Sequence, residues 1–489
     1  MPRVARARTV FVCQQCGAQF AKWLGRCQEC GAWESVVEET VAPRPAPSSG
    51  GGGFGGARTS VTLAAQRVAR PVPLKAVTPQ SHARIKTGLE ELDRVLGGGI
   101  VPGSVILLGG DPGIGKSTIG LQVLAELAKK GIVALYVSGE ESPEQVKLRA
   151  DRLECNESVL ILPETCVEEI IGHVGTSDPG VVLVDSIQTM HSRELTSAAG
   201  SVGQVRECAA VLVSLAKSSG KPMILVGHVT KEGTIAGPRV LEHVVDTVLH
   251  FEGDQGGGLR LLRAVKNRFG PTNEVGVFEM GERGLEDVSN PSAVLLAERP
   301  KGASGSSVLP AIEGTRPLLV EVQALCTRSA LAMPRRTTLG LDTNRVAVLT
   351  AIVDKRAGLK LFEHDLFVTV AGGIRVQEPA ADLAIIAAIG SSASDTPLPE
   401  GLTLFGEVGL AGEVRAVRHA ETRLREAHKL GFTRAIVPAA TARQVRAPAG
   451  IEVQGVSTVL ELWTALFGGR RRAAAASSSR QHDDAEDAY

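Results

Sequence analysis

Aromatic side chains are scarce in this 489-residue chain, with Phe, Trp and Tyr together at 3%. That composition argues against platforms that stack unpaired bases in the manner of single-strand-binding proteins. An excess of charge of either sign is missing as well, since Lys+Arg and Asp+Glu each number 53. Bulk electrostatics therefore attracts no polyanion, and any nucleic-acid surface must be local. No apolar run approaches the roughly 20 residues that span a bilayer, so no membrane partner is expected. The opening MPRVARARTV is basic but has no apolar stretch behind it, which argues against a secretory signal. With 12 residues before the first cysteine it is also short for an organelle transit peptide. A cytoplasmic protein is expected.

What is present reads as globular: 43% hydrophobic and 22% charged residues. Composition divides the chain into five stretches. Residues 1–40 hold a cysteine cluster, and 41–80 contain the Pro, Ser and Gly tract APRPAPSSGGGGFGGAR, which reads as a flexible linker. Residues 81–290 alternate strand-like runs with helical patterns, as in a parallel α/β domain. Residues 291–468 form a second mixed α/β unit, and 469–489 end in a low-complexity tail predicted to be disordered.

Four of the eight cysteines, Cys13, Cys16, Cys27 and Cys30, form two C-x-x-C pairs ten residues apart, each followed by glycine. Four thiolates at this spacing suit a tetrahedral Zn²⁺ whose four protein ligands leave no open position. The zinc is then structural, and so small a ribbon depends on it to fold. A disulfide or redox C-x-x-C is the competing reading. The scattered Cys155, Cys166, Cys208 and Cys326 are expected as small core residues.

The most specific signal is VILLGGDPGIGKST. An apolar strand runs into Gly110, Asp111, Pro112, Gly113, Ile114, Gly115, Lys116, Ser117 and Thr118, and a helical pattern follows. This is the strand–loop–helix setting that a phosphate-binding loop demands. Lys116 is expected on the β- and γ-phosphates of ATP, and Ser117 on Mg²⁺. In GVVLVDSIQ a buried strand would deliver Asp185 to the sheet's carboxyl edge, where it would hold the Mg²⁺ through water. VALYVSGEES ends another strand in two acids. Glu140 is the first choice, and Glu141 the alternative, for the base that activates the attacking water. PMILVGHVTKEG ends at His228, which reads equally as a γ-phosphate sensor or a plain strand-end residue. In AVKNRFGPT, Lys266 and Arg268 would share one face of an extended chain, and like charges so placed need an anion between them.

Together GLEELDRVLGGGIVPGSVILLGGDPGIGKST, YVSGEES, VDSIQT, GHVTKEG and KNRFG resemble the RadA/Sms family of bacterial DNA-repair ATPases. The resemblance implies an α/β fold: a RecA-like P-loop NTPase core, an N-terminal zinc ribbon and a C-terminal α+β Lon-protease-like domain. It implies a DNA-dependent ring ATPase, a hexamer, that drives branch migration of strand-exchange intermediates on single-stranded and branched DNA beside a RecA-type recombinase. Glu140 would match the catalytic glutamate and His228 the sensor. Loops 190–204 and 230–239 would face DNA, the second carrying Lys231 and Arg239, with Arg193 a further candidate. Lys266 and Arg268 would reach ATP held by the neighbouring subunit, with DNA phosphate as the other possible target of Lys266. In the C-terminal unit the peptidase serine position holds Ala380, and the general-base lysine position aligns with Glu421, so peptidase activity is expected to be lost. Arg335, Arg336, Arg345, Lys355 and Arg356 are candidate DNA contacts or ordinary surface charge. An ATP-dependent Lon-like protease and a non-motor P-loop assembly switch are the alternative functions.

Overall fold

A computed structural model describes residues 8–13, 18–29, 31, 33–41, 73, 84–155, 158–227, 241–253, 259–330 and 333–468. The chain divides into two compact units, the first ending at Asp287 and the second beginning at Val288. Among the described residues no helix is long and apolar enough to cross a membrane.

At the amino end β1 (Arg8–Cys13), β2 (Gln19–Phe20) and β3 (Val36–Val41) form an antiparallel sheet in the order β2-β1-β3. Its small core is Cys13, Cys27 and Val36, with Phe11, Ala18, Phe20 and Leu24 packed around them.

The main sheet is built from β4 (Val105–Gly110), β5 (Ala134–Ser138), β6 (Val159–Pro163), β7 (Val181–Asp185), β8 (Met223–Val226), β9 (Thr247–Glu252), β10 (Leu259–Asn267), β11 (Val275–Gly281) and β12 (Gly284–Asp287). Their order is β12-β11-β10-β9-β4-β8-β7-β5-β6. The run from β9 to β6 is parallel, whereas β10 pairs antiparallel with β9 and β12 with β11.

The central strands are apolar on both faces because both faces are covered. Alternate residues feed two separate cores. Ile106, Leu108, Tyr136 and Leu183 pack on one side with α2 (Lys116–Lys129) and α1 (Glu90–Val95). Val105, Leu107, Val182 and Val184 pack on the other with α4 (Val167–Ser177) and α5 (Val202–Ser219). Between β5 and β6, α3 (Pro143–Arg152) starts at a capping box in which Ser142 and Gln145 satisfy each other's backbone N–H, with Pro143 at its first position.

The second unit contains a four-stranded sheet, β13 (Ser306–Glu313), β14 (Arg316–Arg328), β15 (Arg336–Leu339) and β16 (His364–Val370), in the order β13-β14-β16-β15. A parallel sheet of β17 (Leu402–Leu404), β20 (Arg434–Pro438) and β21 (Glu452–Val456) and a two-stranded ribbon of β18 (Glu407–Val408) and β19 (Val414–Arg415) complete it. Its helices are α6 (Pro291–Leu296), α7 (Thr343–Ala357), α8 (Asp382–Ala393), α9 (Ala420–Lys429) and α10 (Ala439–Gln444). Residues Asp382–Ser391 of α8 are all buried.

Candidate active site

The phosphate-binding sequence folds as its spacing predicts. β4 ends at Gly110, and the loop's exposed Asp111, Pro112 and Gly113 are pinned by Ile114, whose side chain is buried in the core under α2. Gly115 turns the chain into α2 at φ +115°, and a Cβ there would lie 2.9 Å from Met280 Cε. Both facts require glycine. The first turn of α2 has neither a side-chain cap nor an acidic residue, so its N–H groups and positive dipole end suit an anion. Lys116 is buried and donates to the carbonyls of Gly110 and Asp111, both at 2.8 Å. Burial holds its ammonium below the ordinary lysine range, opposed by the carboxylates of Asp185, Asp111 and Glu140. Ser117 and Thr118 follow in the half-buried first turn.

Asp185 ends β7 beside Ser138 of β5. It is buried, and its Oδ2 accepts a 2.5 Å hydrogen bond from the Tyr136 hydroxyl. Burial first, then the Asp185 charge and this bond, push the Tyr136 phenol well above its usual range, so it remains a donor. Among the described residues no hydrogen bond to Oδ1 is seen, which suits a carboxylate that holds a hydrated Mg²⁺. Of the two acids after β5, Glu140 accepts a 2.5 Å hydrogen bond from Ser186 Oγ, directly after Asp185. Glu141 instead pairs with Arg149. The structure thus brings Glu140, not Glu141, to the end of β7. Gly139 N–H also donates to Asp185 O at 2.8 Å. His228, Lys231 and Arg239 lie outside the described residues.

Lys266 and Arg268 are not simple neighbours on an extended face. The register of β10 against β9 slips between Ala264 and Lys266, and the strand ends at Asn267, before Arg268. The bulge accommodates one extra residue, Val265. Nor does the pair wait for an external anion alone. Lys266 Nζ donates to the carbonyls of Glu242 at 2.6 Å and Val245 at 2.8 Å. Arg268 lies 3.8 Å from Asp246. Asp246 is buried, accepts from Val105 N–H at 3.1 Å and binds Lys217 Nζ through both oxygens at 3.0 Å. Burial, then the charge of Arg268, hold the Lys266 ammonium below its ordinary range.

The cluster sits at the sheet edge remote from the chain's own loop. Asn267 pairs with Thr247, and Thr247 with Ile106, whereas Gly110 pairs with Phe251. Those four residues along β9 separate the two by about 13 Å.

Sequence reasoning missed Tyr136, Ser186 and Asp246. A hint existed for the first: one of only two tyrosines interrupts an apolar strand, and a buried hydroxyl needs a partner.

Loop 190–204 is tied down at both ends by side chains. Gln204 takes Ser192 N–H at 2.8 Å and donates to carbonyls of Ser192, Leu195 and Ser197. Glu168 takes Ser192 Oγ at 2.5 Å. Arg193 is exposed and paired with Glu169 at 2.7 Å.

In the second unit Ala380 is buried in a short turn before α8, where its carbonyl accepts Gly406 N–H at 2.9 Å. Glu421 is exposed. The buried ion of α9 is instead Arg423, which forks onto Glu378 at 2.8 and 2.5 Å. Arg345 is likewise not a loose surface cation, because it forks onto the buried Asp382. Among the cysteines proposed for zinc, Cys13 and Cys27 are both buried in the ribbon core, Cys13 Sγ lying 3.2 Å from Ser35 Oγ. Cys16 and Cys30 lie outside the described residues, and no group of three or more ligands gathers among those described. Two buried thiols at the ends of the two C-x-x-C pairs fit half of a four-cysteine site.

Residues 85–162 match the family described as "ATPase: KaiC", and residues 11–38 match a zinc-ribbon family described as "Rubredoxin metal binding domain". Among curated proteins, the chain is 50% identical over 467 residues to "DNA repair protein RadA" of Bacillus subtilis (strain 168), covering 95% of this chain and 100% of that protein. It is 52% identical over 465 residues to the protein of the same name from Pseudomonas aeruginosa, again covering 95% and 100%. The same name and coverage recur at 49% identity over 465 residues in Streptococcus pyogenes serotype M1.

Proposed function

Because the chain belongs to the RadA family of DNA repair proteins, with a RecA-like ATPase core and an N-terminal zinc ribbon, we propose that it is a DNA-dependent ATPase that works as a closed ring. In this reading the ring is a hexamer that drives branch migration of strand-exchange intermediates on single-stranded and branched DNA, beside a RecA-type recombinase. The observation that carries it is the convergence of Lys116, Asp185 and Glu140 at one edge of the sheet, beside the uncapped start of α2.

Lys116 would exchange the Gly110 and Asp111 carbonyls for the β- and γ-phosphate oxygens as acceptors of its ammonium. Asp185 and Ser117 would hold a Mg²⁺, which would supply charge neutralisation at the transferring phosphoryl group. Glu140 accepts the proton of the attacking water, and His228 senses the γ-phosphate. Since the chain's own loop is at the opposite sheet edge, Arg268 serves the nucleotide of a neighbouring subunit, where its fork matches phosphate oxygens. Lys266, bound to two carbonyls, is as much a structural tie as a phosphate ligand. Lys231, Arg239 and the loop around Arg193 contribute phosphate contacts of low sequence specificity. Cys13, Cys16, Cys27 and Cys30 hold the ribbon's zinc. The C-terminal unit is a Lon-protease-like platform in which Ala380 offers no nucleophile.

The test is ATP hydrolysis with and without single-stranded DNA. Wild type is expected to be stimulated by DNA, and Lys116→Ala to lose turnover. Undiminished turnover in Lys116→Ala sinks the site assignment, and ATP-dependent casein cleavage by the wild type revives the protease alternative.

A further inference from the structure

β5 and β7 lie side by side and parallel, in the register Tyr136 with Leu183 and Ser138 with Asp185. Each strand delivers one carboxylate to the site, Glu140 just past β5 and Asp185 at the end of β7. Two negative groups on neighbouring strand ends repel and, left alone, turn apart. Here each is held by a hydroxyl supplied from the other strand. Tyr136 of β5 donates to Asp185 of β7 at 2.5 Å, and Ser186, directly after β7, donates back to Glu140 at 2.5 Å. Both donors are almost wholly buried, Tyr136 at 1% and Ser186 at 0% exposure, so water is not positioned to replace them. Gly139 closes the seam. Its N–H binds Asp185 O, and a Cβ on it would meet Thr189 Oγ1 at 2.0 Å.

We infer that Tyr136 and Ser186 form a crossed latch that fixes the metal-holding carboxylate and the general base relative to each other. This inference rests on the proposed reading of the site as a Mg²⁺–ATP hydrolase. Tyr136 occupies Asp185 Oδ2, so Oδ1 is the oxygen that would serve a metal. Ser186 holds Glu140 by Oε1 and so fixes the orientation of its carboxylate. Both are positioning residues, since neither touches the reacting atoms. Because each hydroxyl comes from the neighbouring strand, each carboxylate has its own tether. Removing one hydroxyl therefore disturbs one function and spares the other, which a generally loosened sheet would not do.

The experiment uses full-length Tyr136→Phe and Ser186→Ala, with two readouts. The first is affinity for a fluorescent ATP analogue across a Mg²⁺ titration and in EDTA, which reads metal binding without turnover. The second is kcat and KM for ATP at saturating Mg²⁺. Tyr136→Phe is expected to raise the Mg²⁺ midpoint about 10- to 100-fold, as loss of a carboxylate's hydrogen-bonding partner does at metal sites, with EDTA affinity unchanged and kcat recovered at high Mg²⁺. Ser186→Ala is expected to keep the wild-type Mg²⁺ midpoint and KM while kcat falls roughly 10- to 100-fold, and Ser186→Thr to restore it. Should Ser186→Ala fail to fold, Ser186→Cys, of similar volume and a poor donor, is read the same way. An unchanged Mg²⁺ midpoint in Tyr136→Phe, or an equal loss of EDTA affinity in both variants, overturns the latch. If wild type itself shows no Mg²⁺ dependence and Lys116→Ala no defect, the hydrolase reading falls first. If those controls behave and the variants do not separate, the latch alone falls.

Discussion

Gly139 has nowhere to put a methyl group. A Cβ there would lie 2.0 Å from Thr189 Oγ1 and 2.7 Å from Met190 Cε, so Gly139→Ala must push the end of β5 away from β7. The expected result is a destabilisation of about 1–3 kcal/mol by overpacking, seen as a lower Tm, and a loss of turnover larger than any loss of ATP affinity, since the loop around Lys116 is untouched. Steady-state kinetics beside equilibrium nucleotide binding separates the two. Cysteine chemistry offers a second check. Burial pushes Cys208 from an ordinary 9.0 up to about 12, and Cys326 up to about 11. At pH 8 the reactive thiolate of Cys208 is then roughly one part in 10⁴, so native protein should resist alkylation there and unfolded protein should not. Both thiols are protonated in either state below pH 9, and above it the unfolded chain sheds protons that the folded chain keeps. Their contribution is therefore whole at neutral pH and is lost as pH rises from 9 towards 11 and 12. Mass spectrometry after iodoacetamide, and a melting series across that alkaline window, test the two statements.

At the scale of elements, one side chain organises the connection between β7 and α5. Gln204 holds Ser192, Leu195 and Ser197 at once, although Ser201, not Gln204, caps the helix. Gln204→Ala leaves these backbone groups to water or unpaired. It should cost about 1–3 kcal/mol, with faster amide exchange confined to residues 192–197. Faster exchange spread evenly over α5 would contradict a local role. This clamp was not legible in the sequence, and the reason is general. The apolar runs VILLGG and VVLVD announced buried strands and delivered Lys116 and Asp185 to one edge, because hydrophobic run length reports burial on both faces. Periodicity carries no information about which distant polar group meets which. Asp246 beneath Arg268, Ser186 on Glu140 and Arg423 on Glu378 join residues 22, 46 and 45 positions apart. The bulge at Val265 is equally silent, since one unpaired residue leaves no trace in an alternating pattern. The sequence already favours Glu140 over Glu141 as the base, but the distant partners that distinguish the two acids, Ser186 on Glu140 and Arg149 on Glu141, are seen only in the structure.

At the scale of the whole molecule, the test of assembly is complementation. Arg268→Ala should fold, because Asp246 keeps Lys217 and the Val105 N–H. It should bind ATP yet lose turnover, by as much as the ~10³–10⁵-fold that such arginines supply in other P-loop enzymes. Mixing it with Lys116→Ala chains, which keep Arg268, should restore part of the rate, measured as ATP hydrolysis against mixing ratio; no restoration contradicts service in trans. Lys266→Ala is a poorer probe, since it also strands the carbonyls of Glu242 and Val245. DNA affinity should fall steeply between low and moderate salt, as phosphate contacts require. The separation of the phosphate loop from the KNRFG cluster, at opposite ends of β9, has a further consequence under the proposed function. Two subunits cannot complete each other's sites by two-fold pairing, because donor and acceptor surfaces are different patches; only head-to-tail addition works. An open string of n subunits then contains n − 1 complete sites, its terminal subunits each wasting one half. Closure adds the last site without adding a subunit, so rate per subunit rises with string length and levels off at the ring, making turnover itself a gauge of whether the circle is shut.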